Sequence, residues 1–279
     1  MKTFSKPTHF PEKQSTAPRV IVPTMGALHE GHLELIRQAR RLAGKDGEVI
    51  VTIFVNPTQF NNPSDLEKYP RTLEEDLKLC EKEDADIVFT PVSHSMYHSD
   101  HSVNVIESSL SDRLCGATRP GHFEGVCTVV LKLFNITRAD IGVFGKKDFQ
   151  QFAIIRRMAR DLNLPVEIVG VKTVREPSGL ALSSRNARLT AEQHADAPRI
   201  RKALLAAQQL CLGGEQSVEK LLSCACEIIH SSEKDARIDY LEILDAETLQ
   251  PINTISRPAL LATAVFYGDV RLIDNIELG

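Results

Sequence analysis

VIVPTMGALHEGHLELIR, residues 20–37, reads as a buried strand, a tight loop and a helix. Val20-Ile21-Val22 is the short apolar run of a parallel strand covered on both faces. Pro23, Thr24 and Gly26 interrupt it. Leu33, Ile36 and Leu42, with Leu35 beside them, then recur at helical spacing. The loop between carries His29-Glu30-Gly31-His32. A helix N-terminus offers unpaired N–H groups and a partial positive charge. Two imidazoles add directed donors there, and Gly31 leaves room for a ligand. The stretch is therefore expected to bind phosphate through a strand–loop–helix in which histidine replaces a glycine-rich loop. An isolated histidine is more often an ordinary surface or core residue, but two around a glycine after a buried strand fit that reading poorly. Zinc is the rival ligand, and the spacing differs from the one-face pair of H-E-x-x-H.

Outward from this stretch the same punctuation recurs. VIVTIFV (49–55) is a second buried strand, closed by Asn56-Pro57. Asn56 and Gln59 thus stand at a strand's carboxyl end, where open α/β sheets bind ligands, although Asn-Pro also favours a plain turn. Thr72 and Glu75 have capping-box spacing before a helix expected over 73–82. The cluster Glu74-Glu75-Asp76 could also serve a magnesium ion accompanying a nucleotide. A strand is expected over 86–90 and a short one over 103–106. Arg119 and His122 lie in a turn-rich segment as candidate anion and substrate contacts, ahead of a buried helix at 126–136. DIGVF (140–144) is a further strand and ends in Gly145-Lys146-Lys147-Asp148 before a helix at 149–162. Lysine suits a phosphate, glycine a close backbone approach, and aspartate a ribose hydroxyl. Gln150 or Gln151 would face the same cleft. Strands alternating with helices imply right-handed βαβ units and a Rossmann-like parallel sheet.

A strand over 166–174 closes this half, and the polar segment 175–179 marks a hinge. The expected organisation is an α/β domain over 1–174 and a smaller α+β domain over 175–279. In the second, Leu182-Ser183-Ser184-Arg185 has two hydroxyls and a guanidinium suited to a polyphosphate, where an ordinary loop would merely be solvated. Helices are expected over 199–212, stopped by Gly213-Gly214, and over 218–231. Strands are expected over 238–244, 260–267 and 270–273. Residues 1–18, polar and proline-containing, are expected to be a loosely ordered arm.

The composition is that of an ordinary globular protein of 279 residues, 42% hydrophobic and 25% charged. A net charge of −4 gives no electrostatic case for a nucleic-acid partner. Six scattered cysteines without C-x-x-C spacing suit the reducing cytoplasm. No apolar run approaches the roughly 20 residues of a membrane span.

Taken together, PTMGALHEGH (23–32), FVNPTQF (54–60), YPRT (69–72), RPGHFEGV (119–126), FGKKDFQQ (144–151), LALSSRN (180–186) and GDVRLIDN (268–275) resemble the pantothenate synthetase family, in order and over residues 20–275. H-x-G-H alone would indicate only the wider nucleotidylyltransferase superfamily. The resemblance implies a ligase in which pantoate attacks the α-phosphate of ATP to give pantoyl adenylate and pyrophosphate. β-Alanine then displaces AMP to give pantothenate. It implies magnesium accompanying ATP, and a homodimer. By matching motif, Met25, Gly26, Ala27, Leu28, His29, Glu30, Gly31 and His32 would line the ATP site. His29 and His32 would stabilise phosphate charge, His32 at the position taken as general acid, with Lys147 and Arg185 also catalytic. Gly145 and Asp148 would meet the ribose, Lys146 and Lys147 the nucleotide's phosphate side, and Val174 the adenine. Leu182, Ser183, Ser184 and Arg185 would close over the polyphosphate. Gln59 and Gln151 would hold pantoate, with Asn56, His122 and Arg119 nearby, and Glu75 or Asp76 would assist magnesium. The sequence departs from the family in an opening helix that is absent or displaced, and in His98 and Cys127 at the substrate rim. A nucleotidylyltransferase that leaves its nucleotide on the product, and a non-catalytic nucleotide-binding module, are the competing readings.

Overall fold

Parallel strands order the larger part of the chain. The computed structural model describes residues 1–61, 63–231 and 236–279. Its strands and helices run β1 (Lys2–Phe4), β2 (Arg19–Thr24), α1 (Glu30–Ala43), β3 (Glu48–Ile53), α2 (Pro63–Glu67), α3 (Leu73–Lys82), β4 (Ile87–Phe89), α4 (Ser93–Met96), α5 (Cys115–Thr118), α6 (His122–Thr137), β5 (Ile141–Gly145), α7 (Phe149–Asp161) and β6 (Glu167–Val171). There follow α8 (Ala191–Asp196), α9 (Arg199–Leu212), α10 (Val218–His230), β7 (Ala236–Asp245), β8 (Ala259–Tyr267) and β9 (Val270–Leu278). They form two compact units. One comprises residues 1–111, 118–146 and 151–172; the other comprises 112–117, 147–150 and 173–279.

In the first unit the strands pair in the order β1-β4-β3-β2-β5-β6, all parallel. Val20, Ile21 and Val22 are fully buried, as are Val49, Ile50 and Val51 beside them. Both sheet faces are covered, which is why these strands are apolar without alternation. Leu33, Ile36, Ala39 and Ala43 turn the buried stripe of α1 onto β2 and β3. Strand order reverses at β2, which has β3 on one side and β5 on the other. Open α/β sheets bind ligands at the carboxyl ends of strands at such a reversal, and the loop after β2 is the one that carries the two histidines.

Three expectations give way here. The arm is ordered: Lys2–Phe4 adds an edge strand to β4, and Phe10 packs edge-on against Phe89 at 5.3 Å. Arg19, 1% exposed, fastens it, with Nη1 donating to the carbonyls of Pro11 (3.1 Å) and Thr137 (2.8 Å) and Nη2 to that of Glu12 (3.4 Å). Lys13 adds a contact of 2.6 Å to Asp140. Residues 103–106 do not form a strand; Val103 and Ile106 are exposed, and only the Val105 amide is held, by Thr128. Cys127 lies fully buried in α6 and not at a rim, and burial pushes its thiol up to about 12, Glu107 adding to the effect.

The second unit is an antiparallel sheet, β7-β8-β9, backed by α9 and α10. Alternate residues of β9 are buried, the period-two pattern of a half-covered strand. Ile200, Leu204, Leu221, Ile229, Leu261, Val265 and Leu272 share its core. Truncating one of them to alanine would cost about 2–5 kcal/mol.

Candidate active site

The loop after β2 is shaped by bonds from its own side chains and from one distant acid. Gly26 and Ala27 both have left-handed backbone, at φ 86° and 50°. Asp76, on α3 and 1% exposed, accepts the Ala27 amide at Oδ2 (2.9 Å) and the Leu28 amide at Oδ1 (2.8 Å). The Thr72 hydroxyl donates to the same carboxylate at 3.3 Å. A Cβ at residue 26 would lie 3.0 Å from Asp76 Oδ2, so this turn takes glycine for space as well as for φ. The expected capping box at Thr72 and Glu75 is therefore replaced: the Thr72 hydroxyl serves Asp76, and Glu75 is exposed. Asp76 does not suit a magnesium ligand either, because both of its oxygens already take backbone N–H groups. Among the described residues no three His, Cys, Asp or Glu side chains gather into a metal site.

His29 and His32 then cap α1. The Gly31 amide donates to His29 Nδ1 (3.1 Å) and the His29 amide to His32 Nδ1 (3.2 Å). The rings lie 4.1 Å apart, tilted by 40°. An imidazole that accepts at Nδ1 carries its proton on Nε2 when neutral. When neutral, both rings therefore carry their proton on Nε2, and those two amides are satisfied internally. The sequence expectation has the imidazoles add to free amides; here they also take two of those amides, of His29 and Gly31.

Asn56, Gln59, His122 and Arg119 form a second group in the same unit. Asn56, 1% exposed, donates through Nδ2 to Gln59 Oε1 (3.2 Å) and to the Gly125 carbonyl (3.1 Å). Its Oδ1 accepts from Tyr97 Oη (2.8 Å) and Thr58 Oγ1 (3.0 Å). Gln59 Nε2 lies 3.2 Å from Met25 Sδ. His122 Nδ1 meets the Gln59 carbonyl at 2.8 Å, and so carries the proton; its Nε2 lies 3.4 Å from Arg119 Nη1. Gly125 lets α6 press on the turn Pro57–Gln59, where a Cβ would come 2.5 Å from the Thr58 carbonyl. Asn56 and His122 thereby hold Gln59 in place. Sequence reading left Tyr97 and Thr58 out of this set. Tyr97 stands 41 residues from Asn56, and no local pattern marks it. Burial raises its hydroxyl's pKa above the ordinary value, partly offset by Thr58 and Asn56.

Gly145 ends β5 in the first unit and Lys146 follows it, and Gln151 lies half-buried on α7. The second unit holds Lys147, Asp148, Val174 and Leu182 to Arg185. Lys147 Nζ lies 3.7 Å from Asp148 Oδ2, and the Lys147 carbonyl accepts from Asn275 Nδ2 at 2.9 Å. Gln150 is tied to the Arg113 carbonyl (2.6 Å) and the Cys115 amide (3.0 Å). The Val174 carbonyl accepts from the Leu182 amide at 3.0 Å. Ser183 Oγ accepts the Arg185 amide at 3.2 Å to start a 3-10 turn, and Ser184 and Arg185 are exposed.

A doubly wound parallel sheet whose reversal-point loop ends in two imidazoles at a helix start defines a nucleotide-handling enzyme of the α/β class. Comparison with known proteins narrows the class. A family model described as pantoate-beta-alanine ligase matches residues 2–277. A pantothenate synthetase of Akkermansia muciniphila is 57% identical over 259 residues, covering 93% of this chain and 92% of the relative. The structure of a pantothenate synthetase from Thermus thermophilus superposes with a TM-score of 0.91 at 40% identity, covering 99% of both chains. A pantoate-beta-alanine ligase of Francisella tularensis, whose structure holds beta-gamma ATP and beta-alanine, superposes with a TM-score of 0.76 at 34% identity, covering 99% of this chain and 97% of that one. The chain belongs to the pantoate–β-alanine ligase family and is an enzyme of that activity.

Proposed function

We propose that the enzyme works in two displacements, with roles set by the groups described above. In the first, a pantoate carboxylate oxygen bonds to the α-phosphorus of ATP as the bond to the bridging oxygen breaks, and pyrophosphate leaves. In the second, the amine of β-alanine attacks the acyl carbon of pantoyl adenylate, and AMP leaves. Neither step needs a protein nucleophile; both need positioning and charge stabilisation. The double imidazole cap carries this reading: Nε2–H of His29 and His32 is suited to meet charge developing on the departing phosphates, with His32 as proton donor. Lys147, Ser183, Ser184 and Arg185 are proposed to bind the polyphosphate, with Leu182 closing beside them and Lys146 assisting, Gly145 and Asp148 to meet the ribose, and Val174 the adenine. Gln59 and Gln151 would hold pantoate, Gln59 being pre-aligned by Asn56 and His122, with Arg119 beside them. Magnesium would enter on the phosphates of ATP and not on a protein carboxylate.

The exposed apolar pair Val103 and Ile106 supports a homodimer formed by the first unit, to be read from the mass in solution. The six cysteines form no disulfide and no helix among the described residues is long and apolar enough to cross a membrane, which supports a cytoplasmic enzyme. The deciding experiment is exchange of labelled pyrophosphate into ATP. Exchange should require pantoate but not β-alanine, with AMP released only once β-alanine is added. Exchange without pantoate, or a product retaining its nucleotide, would overturn the proposal in favour of a plain nucleotidylyltransferase.

A further inference from the structure

In the second unit two guanidiniums, those of Arg175 and Arg201, share one carboxylate, and only one of them is bonded to it. Asp274, with a side chain 4% exposed, receives Arg175 through both oxygens: Nη1 to Oδ2 at 2.7 Å and Nη2 to Oδ1 at 2.8 Å. Its Oδ1 also accepts the Asn275 amide at 2.8 Å. The carboxylate is saturated by one guanidinium. A second guanidinium, that of Arg201 on α9, lies in the same group, and among the described residues no ion pair or hydrogen bond forms to it. Burial and then the like charge of Arg175 lower the pKa of Arg201 from its ordinary value, and Asp274 only partly offsets them. The stem of Arg201 runs beside the turn at Gly179, where a Cβ would lie 3.6 Å from Arg201 Cγ. Lys147, Ser183, Arg201 and Asp274 together line a small cavity of about 10 Å³, room for one water-sized group. One carboxylate thus faces two guanidiniums, Arg175 and Arg201, and Lys147, whose own acid is Asp148, lines the same cavity. A cation kept among like charges without an acid of its own is a cost to the apo fold. An anion with oxygen atoms small enough to enter the cavity would remove that cost.

We propose that Arg201 is a further phosphate-binding residue, which places its guanidinium on an oxygen of the ATP polyphosphate, and of released pyrophosphate, beside Lys147 and Ser183. This deepens, and rests on, the assignment of Lys147 and Ser183 to Arg185 as phosphate ligands. Arg201 would act as an anchor for the charged tail and so add to affinity for both the nucleotide and the first product.

The test is steady-state kinetics and thermal melting of the full chain carrying Arg201→Gln, with Arg201→Lys as the charge-keeping variant. Loss of one partly exposed charge-assisted contact should raise KM for ATP and the inhibition constant of pyrophosphate by about fivefold, with KM for β-alanine unchanged. Arg201→Lys should restore part of each. The melting temperature of the ligand-free Arg201→Gln protein should hold or rise, because a like-charge contact is removed, while the upward shift on adding ATP should shrink. Unchanged KM for ATP and unchanged pyrophosphate inhibition would overturn the proposal. So would a lowered ligand-free melting temperature with those constants unaltered, which would make Arg201 a packing residue. Lys147→Ala and Arg185→Ala separate the two levels. If they raise KM for ATP and Arg201→Gln does not, only the role of Arg201 fails; if none of the three does, the underlying assignment fails.

Discussion

The two loops assigned to phosphate are held in different ways. In Met25–His32, the amides of Gly26, Ala27, Leu28, His29 and Gly31 are all taken by side chains: Thr24, Asp76 twice, His32 and His29. In Ser183–Arg188, one hydroxyl takes one amide at 3.2 Å, Asn186 Nδ2 donates to Glu176 Oε1 (3.2 Å) and the Ala181 carbonyl (3.1 Å), and Ser184 and Arg185 are exposed. The first loop is pre-organised, so its polar groups cost little reorganisation as the reaction proceeds. The second is anchored at Asn186 but leaves Ser184 and Arg185 exposed, which suits them to gripping a charged chain once it arrives. Damage to the first should therefore appear in turnover, and damage to the second in affinity for ATP.

Substituting His32→Ala should have the largest effect. It removes one Nε2–H donor and the acceptor of the His29 amide, and adenylate formation should slow by about 10²–10³-fold, roughly 2.7–4 kcal/mol in the barrier. Rapid-quench measurement with an unchanged circular dichroism spectrum checks it; a near-normal rate would dissolve the distinction between the loops. Asp76→Asn comes next. An amide oxygen can keep one backbone donor, but the Nδ2 group faces the other, and a buried donor left unmet costs about 1–3 kcal/mol. Turnover should fall by about tenfold or more, and raising magnesium should not restore it; restoration would return Asp76 to the metal. Arg185→Ala should act on the other side of the comparison, raising KM for ATP about tenfold through loss of an exposed charge-assisted contact. A fall confined to turnover would show that the second loop, too, acts in the transition state.

The smallest effect lies outside both loops and serves as their control. Burial pushes Asp140 up, but Lys13, the Arg19 amide and the Arg19 charge outweigh it and hold the carboxyl below its ordinary value. A folded-state value below the unfolded one stabilises above the unfolded carboxylate value of about 4, and this is lost as pH falls through the folded value. The pair is partly exposed, so less than about 1 kcal/mol is expected. Proteolysis of the arm should accelerate on acidification below that point, and in Lys13→Ala the acid dependence should disappear while adenylation at neutral pH is kept.

The parallel sheet was legible in sequence because its strands are covered on both faces, which compels unbroken apolar runs at Val20–Val22 and Val49–Val51. The histidine loop was legible because strand, glycine, imidazoles and helix are contiguous. What escaped depends on distance along the chain. Asp76 reaches Leu28 across 48 residues, and acidic helix starts look alike whether they bind metal, cap a helix or hold a loop. Tyr97 meets Asn56 across 41 residues. Val103–Ile106 has strand composition, but only the Val105 amide is held, and by a threonine side chain, so propensity alone did not suffice. The arm misled for a similar reason: its order comes from Arg19 and Asp140, beyond its own sequence.

That fastening changes what it means to shorten the protein. The arm's main-chain carbonyls are ligands of a core guanidinium, so trimming the first 13 residues is an electrostatic alteration of the sheet interior and not the removal of a tail. Arg19 would keep the Thr137 carbonyl and Glu48 as partners but lose those of Pro11 and Glu12, and water would enter beneath β2. A foreign sequence joined ahead of Met1 would extend the edge strand that pairs with β4.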